Sequence, residues 1–242
     1  MSFIKKSLTN SEYADMWKKE SDLINANRLY KGLADLLPSG NVLEIGCGCG
    51  NGTLELCKTR KVLSLDINPF LIDKTKELVK HSQNVTIHKC DFLQLKRNDK
   101  AIITEFMPEI IVGWFLGGNG IDVLKHTLEE TVLEKKPKLY REKLEDKIIS
   151  SDVCLPSVKI IHLATRGTQV ESFTDTYSKA SVREDYNTYV FNKIGFEVTQ
   201  VDFFDWDDKN SDFQYVAAEN PLLVSGNQKK RITSIIASRI KN

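Results

Sequence analysis

The stretch that decides the fold is NVLEIGCGCG, residues 41–50. Its first half is apolar and predicts a buried strand, and its second half places glycine at positions 46, 48 and 50. Residues 53–59 then predict a short helix. Glycine admits positive φ and lets the backbone approach a ligand closely, while a helix N-terminus adds unpaired N–H donors. This order of strand, glycine turn and helix predicts a cradle for a nucleotide-like ligand.

The spacing of the glycines separates two nucleotide-binding patterns. The dinucleotide fingerprint G-x-G-x-x-G, counted from Gly46, requires glycine where Asn51 stands. Counted from Gly48, it requires glycine where Thr53 stands. The pattern that is present is E-x-G-x-G-x-G, which begins at Glu44.

Strands and helices alternate outward from this stretch. Further strands are predicted at 62–65, 85–88, 110–115 and 158–164, with helices at 69–81, 121–150 and 182–193. Two more apolar runs, 197–204 and 213–218, are joined by polar residues without a helix and predict an antiparallel hairpin. We therefore expect an α/β fold with a doubly wound, mostly parallel seven-stranded sheet whose last strand is antiparallel.

The chain is expected to form a single domain with additions at both ends. Residues 1–37 predict an N-terminal helical cap or lid, interrupted near 25–27, and residues 38–220 form the core. Within the core, residues 121–156 predict a charged helical insertion. The end of the chain, residues 221–242, predicts a basic helix that contains Lys229, Lys230 and Arg231.

Two acidic residues follow the glycine turn at strand ends. Asp66 ends the second strand, and Asp91 follows the third strand and precedes Phe92. Together with the glycine pattern, these motifs resemble those of the class I S-adenosylmethionine-dependent methyltransferases. The resemblance covers roughly residues 25–218 and includes the reversed last strand of that fold.

The resemblance implies S-adenosyl-L-methionine as the cofactor. By analogy with the family, Asp66 accepts hydrogen bonds from the ribose hydroxyls, Asp91 holds the adenine amino group and Phe92 packs on the adenine ring. Tyr13 and Trp17 share one face of the first helix, so they are expected either to cover the cofactor or to pack on the sheet. The expected cofactor-binding residues are Glu44, Gly46, Cys47, Gly48, Gly50, Asp66, Ile67, Asp91, Phe92, Gly113, Trp114, Tyr13 and Trp17.

The five cysteines indicate reduced thiols and a cytoplasmic protein rather than a disulfide framework. Cys47 and Cys49 lie between the glycines, where a zinc site is an alternative to small side chains that leave room for a ligand. Zinc sites usually carry the spacing C-x₂₋₄-C, which these two residues lack, so no metal is expected.

No motif in the sequence identifies a catalytic residue. Methyl transfer from a sulfonium depends mainly on proximity and alignment, and a general base is required only when the acceptor must lose a proton. The weak candidates are Asn119, alternatively a turn residue, and His126, alternatively a helix-surface residue. His162 is expected in the core, and His81 and His88 away from the cleft.

The methyl acceptor is expected to be a small molecule that attacks through oxygen or nitrogen. The net charge is only +1, which argues against a broad electrostatic interaction with nucleic acid. Family members that methylate base amines or a glutamine amide often carry (Asp/Asn/Ser)-Pro-Pro-(Tyr/Phe) after the fourth strand, and this chain does not. Insertion 121–156 and residues 165–181 follow strand ends and are expected to cover the acceptor.

Two alternatives remain open at this point: an RNA or protein methyltransferase, and a non-catalytic regulatory subunit that binds S-adenosylmethionine. No membrane association is expected, because the longest apolar run, residues 110–116, is far shorter than the roughly 20 residues that span a bilayer. Nothing in the sequence indicates an oligomeric state.

Overall fold

The computed structural model describes residues 8–206, 209–213 and 228–240. In that part of the chain the helices are α1 Asn10–Asn25, α2 Leu29–Asp35, α3 Asn51–Cys57, α4 Pro69–Leu78, α5 Arg97–Phe106, α6 Gly120–His126, α7 Lys136–Ile148 and α8 Asp175–Tyr186. The strands are β1 Val42–Ile45, β2 Val62–Asp66, β3 Val85–Lys89, β4 Ile110–Trp114, β5 Ile160–Val170, β6 Phe196–Asp205 and β7 Gln228–Arg239.

The strands form one sheet in the order β3-β2-β1-β4-β5-β7-β6, which confirms the predicted seven-stranded α/β fold. The pairs from β3 to β5 are parallel, and β7 is antiparallel to both of its neighbours. Val42 in β1 pairs with Val62 in β2 and with Ile110 in β4. The chain reverses its direction of winding at β1, so a crevice opens there beyond the carboxyl ends of the strands.

Helices cover both faces of the sheet. Leu33 of α2 and Leu56 of α3 are fully buried on one face, and Ile103 of α5 and Ile148 of α7 are fully buried on the other. All four residues of β1 are buried, as expected for a central parallel strand with helices on both sides. The site is therefore held by a sheet that is packed on both faces.

The prediction of a basic C-terminal helix is wrong where the structure describes it. Residues 228–239 form β7, which inserts between β5 and β6. Ile232, Ile235 and Ile236 are buried, and such β-branched side chains favour a pleated strand with neighbours on both faces. Residues 221–227 and 241–242 of the predicted helix lie outside the described residues.

Several predicted boundaries also change. β5 runs on to Val170 through part of the predicted insertion 165–181, and α8 begins at Asp175 rather than at 182. Helix α5 was not predicted. Of the predicted last strand, only Phe213 is described; β7 takes its place as the antiparallel strand, and residues 214–218 lie outside the described residues. The predicted break in the N-terminal helices is confirmed at Arg28, whose φ is 56°.

Among the described residues, none of the helices combines the length and the apolar composition that crossing a bilayer requires.

The assignment of β7 predicts which residues stabilise the chain end. Ile235 is 1% exposed and packs in the sheet core, so Ile235→Ala should lower the free energy of unfolding by about 3 kcal/mol through lost burial and a residual cavity. Ser238→Ala, on the same strand but more exposed, should change it by less than about 0.5 kcal/mol. Urea unfolding monitored by circular dichroism measures both values. Equal and small effects would instead indicate a solvated C-terminal segment.

Candidate functional site

The glycine turn after β1 has the backbone geometry that its sequence predicts. Gly46, Gly48 and Gly50 have φ values of 79°, 52° and 89°, which L side chains rarely adopt. At Gly48 a Cβ atom would lie 2.6 Å from Nε1 of Trp17, so the position is closed to side chains by packing as well. At Gly46 a Cβ atom would meet nothing within 4 Å, so the backbone there faces open space.

Asp66 links the turn after β1 to the end of β2. The N–H of Gly48 donates to Oδ2 of Asp66 at 3.1 Å, and the N–H of Asn68 donates to Oδ1 at 2.9 Å. Burial raises the pKa of Asp66, and these backbone N–H donors oppose that rise. The Cys47 thiol also donates to Oδ2, at 3.5 Å, so of about four acceptor positions on the carboxylate about one remains for a hydroxyl donor of a ligand.

A cleft of about 760 Å³, its open mouth included, lies at the carboxyl ends of β1 to β4. The structure brings most of the expected cofactor-binding residues together along its wall: Tyr13, Trp17, Gly46, Gly48, Asp66, Ile67, Asp91, Phe92 and Trp114.

Four of the expected residues lie off the wall of the cleft. Both hydroxyl groups that contact Glu44, those of Thr53 and Ser64, donate to its Oε2, so Glu44 fixes β1 to α3 and β2. Gly50 precedes α3 and packs on Thr75. Gly113 packs against Ile148 of α7, on the face of the sheet that α5 and α7 cover.

The remaining off-wall residue is Cys47, whose buried thiol lies 3.5 Å from Oδ2 of Asp66. Cys49 points elsewhere, and its sulfur lies 3.8 Å from the carbonyl oxygen of Ala14. Burial raises the pKa of Cys49 to about 12, so its thiol stays protonated. Within the described ranges, no group of three His, Cys, Asp or Glu residues is arranged to hold a metal ion.

Asn119 lines the cleft, but its side chain is engaged in structure. Its Oδ1 accepts from the N–H of Asp122 at 2.8 Å and caps α6. Its Nδ2 donates to Oδ1 of Asn10 at 2.6 Å, which joins the start of α6 to the start of α1. Asn119 therefore positions two elements at the mouth of the cleft.

The structure does not place His126 as a base facing the cleft. Its side chain is 7% exposed, and its Nε2 lies 3.0 Å from Oδ2 of Asp91, behind the carboxylate that lines the wall. His162 is fully buried in β5, as predicted, with its Nε2 2.8 Å from the Ser234 hydroxyl; burial lowers its pKa to about 3. His88 pairs with Asp99, away from the cleft as predicted.

Insertion 121–156 lines the same cleft as the expected cofactor-binding residues. Tyr140 and Leu144 of α7 and Asp122 of α6 line the wall on which Asp91 and Phe92 lie. Burial raises the pKa of Asp122, and the nearby Asp91 raises it further.

An arginine that the sequence analysis did not single out organises the other end of the cleft. Arg166 of β5 lies 5.1 Å from the centre of the Trp17 ring and 6.0 Å from that of Phe115, both on the cleft wall. Its guanidinium also pairs with the buried Glu20 of α1 at 3.3 Å. Arg166 lies two and four positions after Ala164 and His162 in β5, so the three side chains share one face of the sheet. That face is the one that α1 covers.

The buried Glu44 carboxyl predicts a pH dependence of stability. Burial raises its pKa from 4.5 to about 7, so its contribution is fully favourable below pH 4.5 and is lost as pH rises towards 7. Glu44→Gln does not titrate, so the unfolding free energy of the variant relative to wild type should rise by about 2 kcal/mol between pH 5 and pH 8. Chemical denaturation at both pH values measures this, with the exposed Glu197→Gln as a control that should show no such trend. A constant difference would mean that Glu44 is ionised throughout.

The Glu20–Arg166 pair predicts how α1 is attached. Glu20 is 1% exposed, so Glu20→Gln removes a buried negative charge that faces the Arg166 guanidinium and should destabilise the protein by about 3 kcal/mol. Glu77→Gln breaks the exposed pair with Lys80 and should cost less than about 1 kcal/mol. Thermal and urea unfolding compare the two variants, and similar losses would contradict the anchoring role.

Comparison with known proteins gives a family match for one segment of the chain and similar folds among solved structures. A family model described as a methyltransferase domain matches residues 42–109, which include the glycine turn, Asp66 and Asp91. A search of curated protein sequences finds no match.

Solved structures with a similar fold share little sequence with the chain. The (4+2)-cyclase SpnF aligns over 100% of both chains with 11% identity and a TM-score of 0.53. Protein PH1948 of Pyrococcus horikoshii, provisionally described as an RNA methyltransferase, covers 98% of this chain, with 88% of its own length aligned, at 12% identity and a TM-score of 0.50. Trm5b of Pyrococcus abyssi covers 89% of this chain, with 48% of its own length aligned, at 15% identity and a TM-score of 0.50.

The strand order with its reversed last strand and the matched segment confirm the resemblance that the motifs indicated. The chain has the class I methyltransferase fold, and its residues 42–109 match the model of a methyltransferase domain.

Proposed function

We propose that this protein is an S-adenosyl-L-methionine-dependent methyltransferase that transfers a methyl group to an oxygen or nitrogen atom of a small molecule. The observation that carries the proposal is that one cleft gathers the glycine turn, Asp66, Asp91 and Phe92. These residues come from three successive loops, after β1, β2 and β3, and they meet at the position where open α/β sheets bind ligands.

The residues of the cleft fit an adenosyl ligand. The open space beside Gly46 lets a ligand lie against the backbone, and Asp66 keeps an acceptor position for a ribose hydroxyl. Asp91 is placed to accept from the adenine amino group, and Phe92 offers an apolar wall to the ring. When bound, the sulfonium of the cofactor supplies an electrophilic methyl carbon.

The other residues of the cleft position the reactants and exclude water. Tyr13 and Trp17 of α1 and Phe115 after β4 form an aromatic wall, which suits a sulfonium through cation–π attraction. None of His81, His88, His126 and His162 lines the cleft, so the described part of the chain offers no histidine base there. This arrangement suits an acceptor that is already nucleophilic, or one whose proton passes to water.

A small acceptor is favoured by the way the basic residues are used. At the basic start of β7, Lys229 and Arg231 both pair with Asp205, at 3.0 and 2.9 Å. Helix α1 also lies over the glycine turn, which narrows access for a macromolecule. Affinity for RNA that falls steeply with salt would favour the RNA methyltransferase alternative instead.

The fold by itself does not fix the reaction. SpnF shares this fold and is named a cyclase, so a site of this kind can serve other chemistry. A non-catalytic binding subunit would bind the cofactor tightly and transfer no methyl group to any member of a broad panel of small nucleophiles. Turnover of the cofactor with any member of that panel would support the enzyme.

Calorimetric titration with S-adenosyl-L-methionine tests the cofactor site. Asp66→Ala removes the carboxylate acceptor for the ribose and should weaken binding about 30-fold, since a hydrogen bond to a charged group is worth about 2 kcal/mol. Asp73→Ala, an exposed position on α4, is the matched control and should bind as wild type does. Asp66→Asn keeps one acceptor and should lie between the two.

Unchanged affinity in a folded Asp66→Ala variant would contradict the assignment of the ribose site. Absence of binding to the wild-type protein would contradict the proposed function itself.

A further inference from the structure

The carboxylate of Asp91 is held by more donors than its place in the loop requires. Its Oδ1 accepts from the N–H of Leu93 at 3.2 Å, which caps the turn that follows. Its Oδ2 accepts from Nζ of Lys125 at 2.6 Å and from Nε2 of His126 at 3.0 Å. Three of the about four acceptor positions are therefore used, and the one that remains is on Oδ1.

The two donors on Oδ2 differ in their surroundings. The Lys125 side chain is 47% exposed, so solvent screens its interaction with Asp91. The His126 side chain is 7% exposed, and its ring packs near that of Tyr140 with the centroids 6.0 Å apart. An ionised carboxylate only accepts hydrogen bonds, so Nε2 of His126 must carry the proton that is shared with Asp91.

The histidine is itself fixed by the insertion. The backbone carbonyl of His126 accepts from Nζ of Lys143 in α7 at 2.7 Å. Tyr140, one turn before Lys143, lines the cleft and packs on Gly118. The insertion therefore fixes His126 against Asp91.

From these contacts we infer that His126 is a positioning residue that orients Asp91 so that its single remaining acceptor position reads an amino group on the purine ring. This inference rests on the proposed function and adds a source of specificity to it. With the carboxylate unable to rotate, a purine with an amino group at position 6 finds an acceptor. A purine with an oxo group there faces a carboxylate oxygen and is disfavoured.

Two ligands that differ at this one position test the inference by calorimetry: S-adenosyl-L-homocysteine and S-inosyl-L-homocysteine. The wild-type protein should prefer the adenosyl ligand. His126→Leu should reduce that preference about tenfold, mainly by weakening adenosyl binding, because the freed carboxylate loses its orientation. His126→Gln, which keeps an N–H donor, should restore most of the preference.

A matched control comes from a second histidine–carboxylate pair outside the cleft. His88→Leu removes the contact with Asp99, at 2.7 Å, and should leave the ligand preference as in wild type. Because each preference is a ratio measured on one protein preparation, partial loss of stability does not imitate the effect.

A measurement on the wild-type protein covers the case in which His126→Leu does not fold. Nitrogen NMR of the imidazole rings should show His126 protonated at Nε2, and this signal should shift more with the adenosyl than with the inosyl ligand. The tautomer protonated only at Nδ1 would overturn the inference.

The outcomes distinguish a failure of the proposed function from a failure of the positioning role of His126. Failure of the wild-type protein to bind either ligand would contradict the proposed function. Adenosyl binding without preference over the inosyl ligand, or an unchanged preference in His126→Leu, would overturn the positioning role and leave the proposed function standing.

Discussion

The hydrogen bond from the backbone of Gly48 to the carboxylate of Asp66 is the contact on which the site depends. It ties the turn after β1 to the end of β2, at the point where the sheet changes its direction of winding. The turn can make this bond only with positive φ at Gly48, and Trp17 then packs where a side chain would otherwise stand. The glycine turn, Asp66 and helix α1 are therefore fixed relative to one another.

Each end of the cleft is held by a contact between polar side chains that the fold partly buries. At one end, Glu20 and Arg166 attach α1 to β5, and Arg166 supports Trp17 and Phe115 from behind. At the other end, His126 attaches the insertion to Asp91. Buried pairs of this kind contribute more to fixed geometry than to net stability, because desolvation offsets much of their attraction. We therefore interpret both pairs as contacts that fix the positions of the cleft walls.

Local patterns were enough to predict the core of the site but not its supports. Gly46, Gly48, Asp66 and Asp91 follow strand ends within one short segment, so their meeting follows from parallel strands alone. The strand formed by residues 228–239 could not be predicted in this way. The basic residues at its start are typical of a solvated helix, and only pairing with β5 and β6 makes the segment a buried strand. The contacts of Arg166 and His126 likewise join residues far apart in sequence, and their partners are visible only once the chain has folded.

The central claim is that this cleft holds an adenosyl cofactor. Mass spectrometry of the wild-type protein as purified, under native conditions and again after denaturation, tests it most directly. The account predicts that the protein carries S-adenosyl-L-methionine or S-adenosyl-L-homocysteine, which denaturation releases. A protein that retains neither compound, and that gains no mass when either is added in large excess, would contradict it.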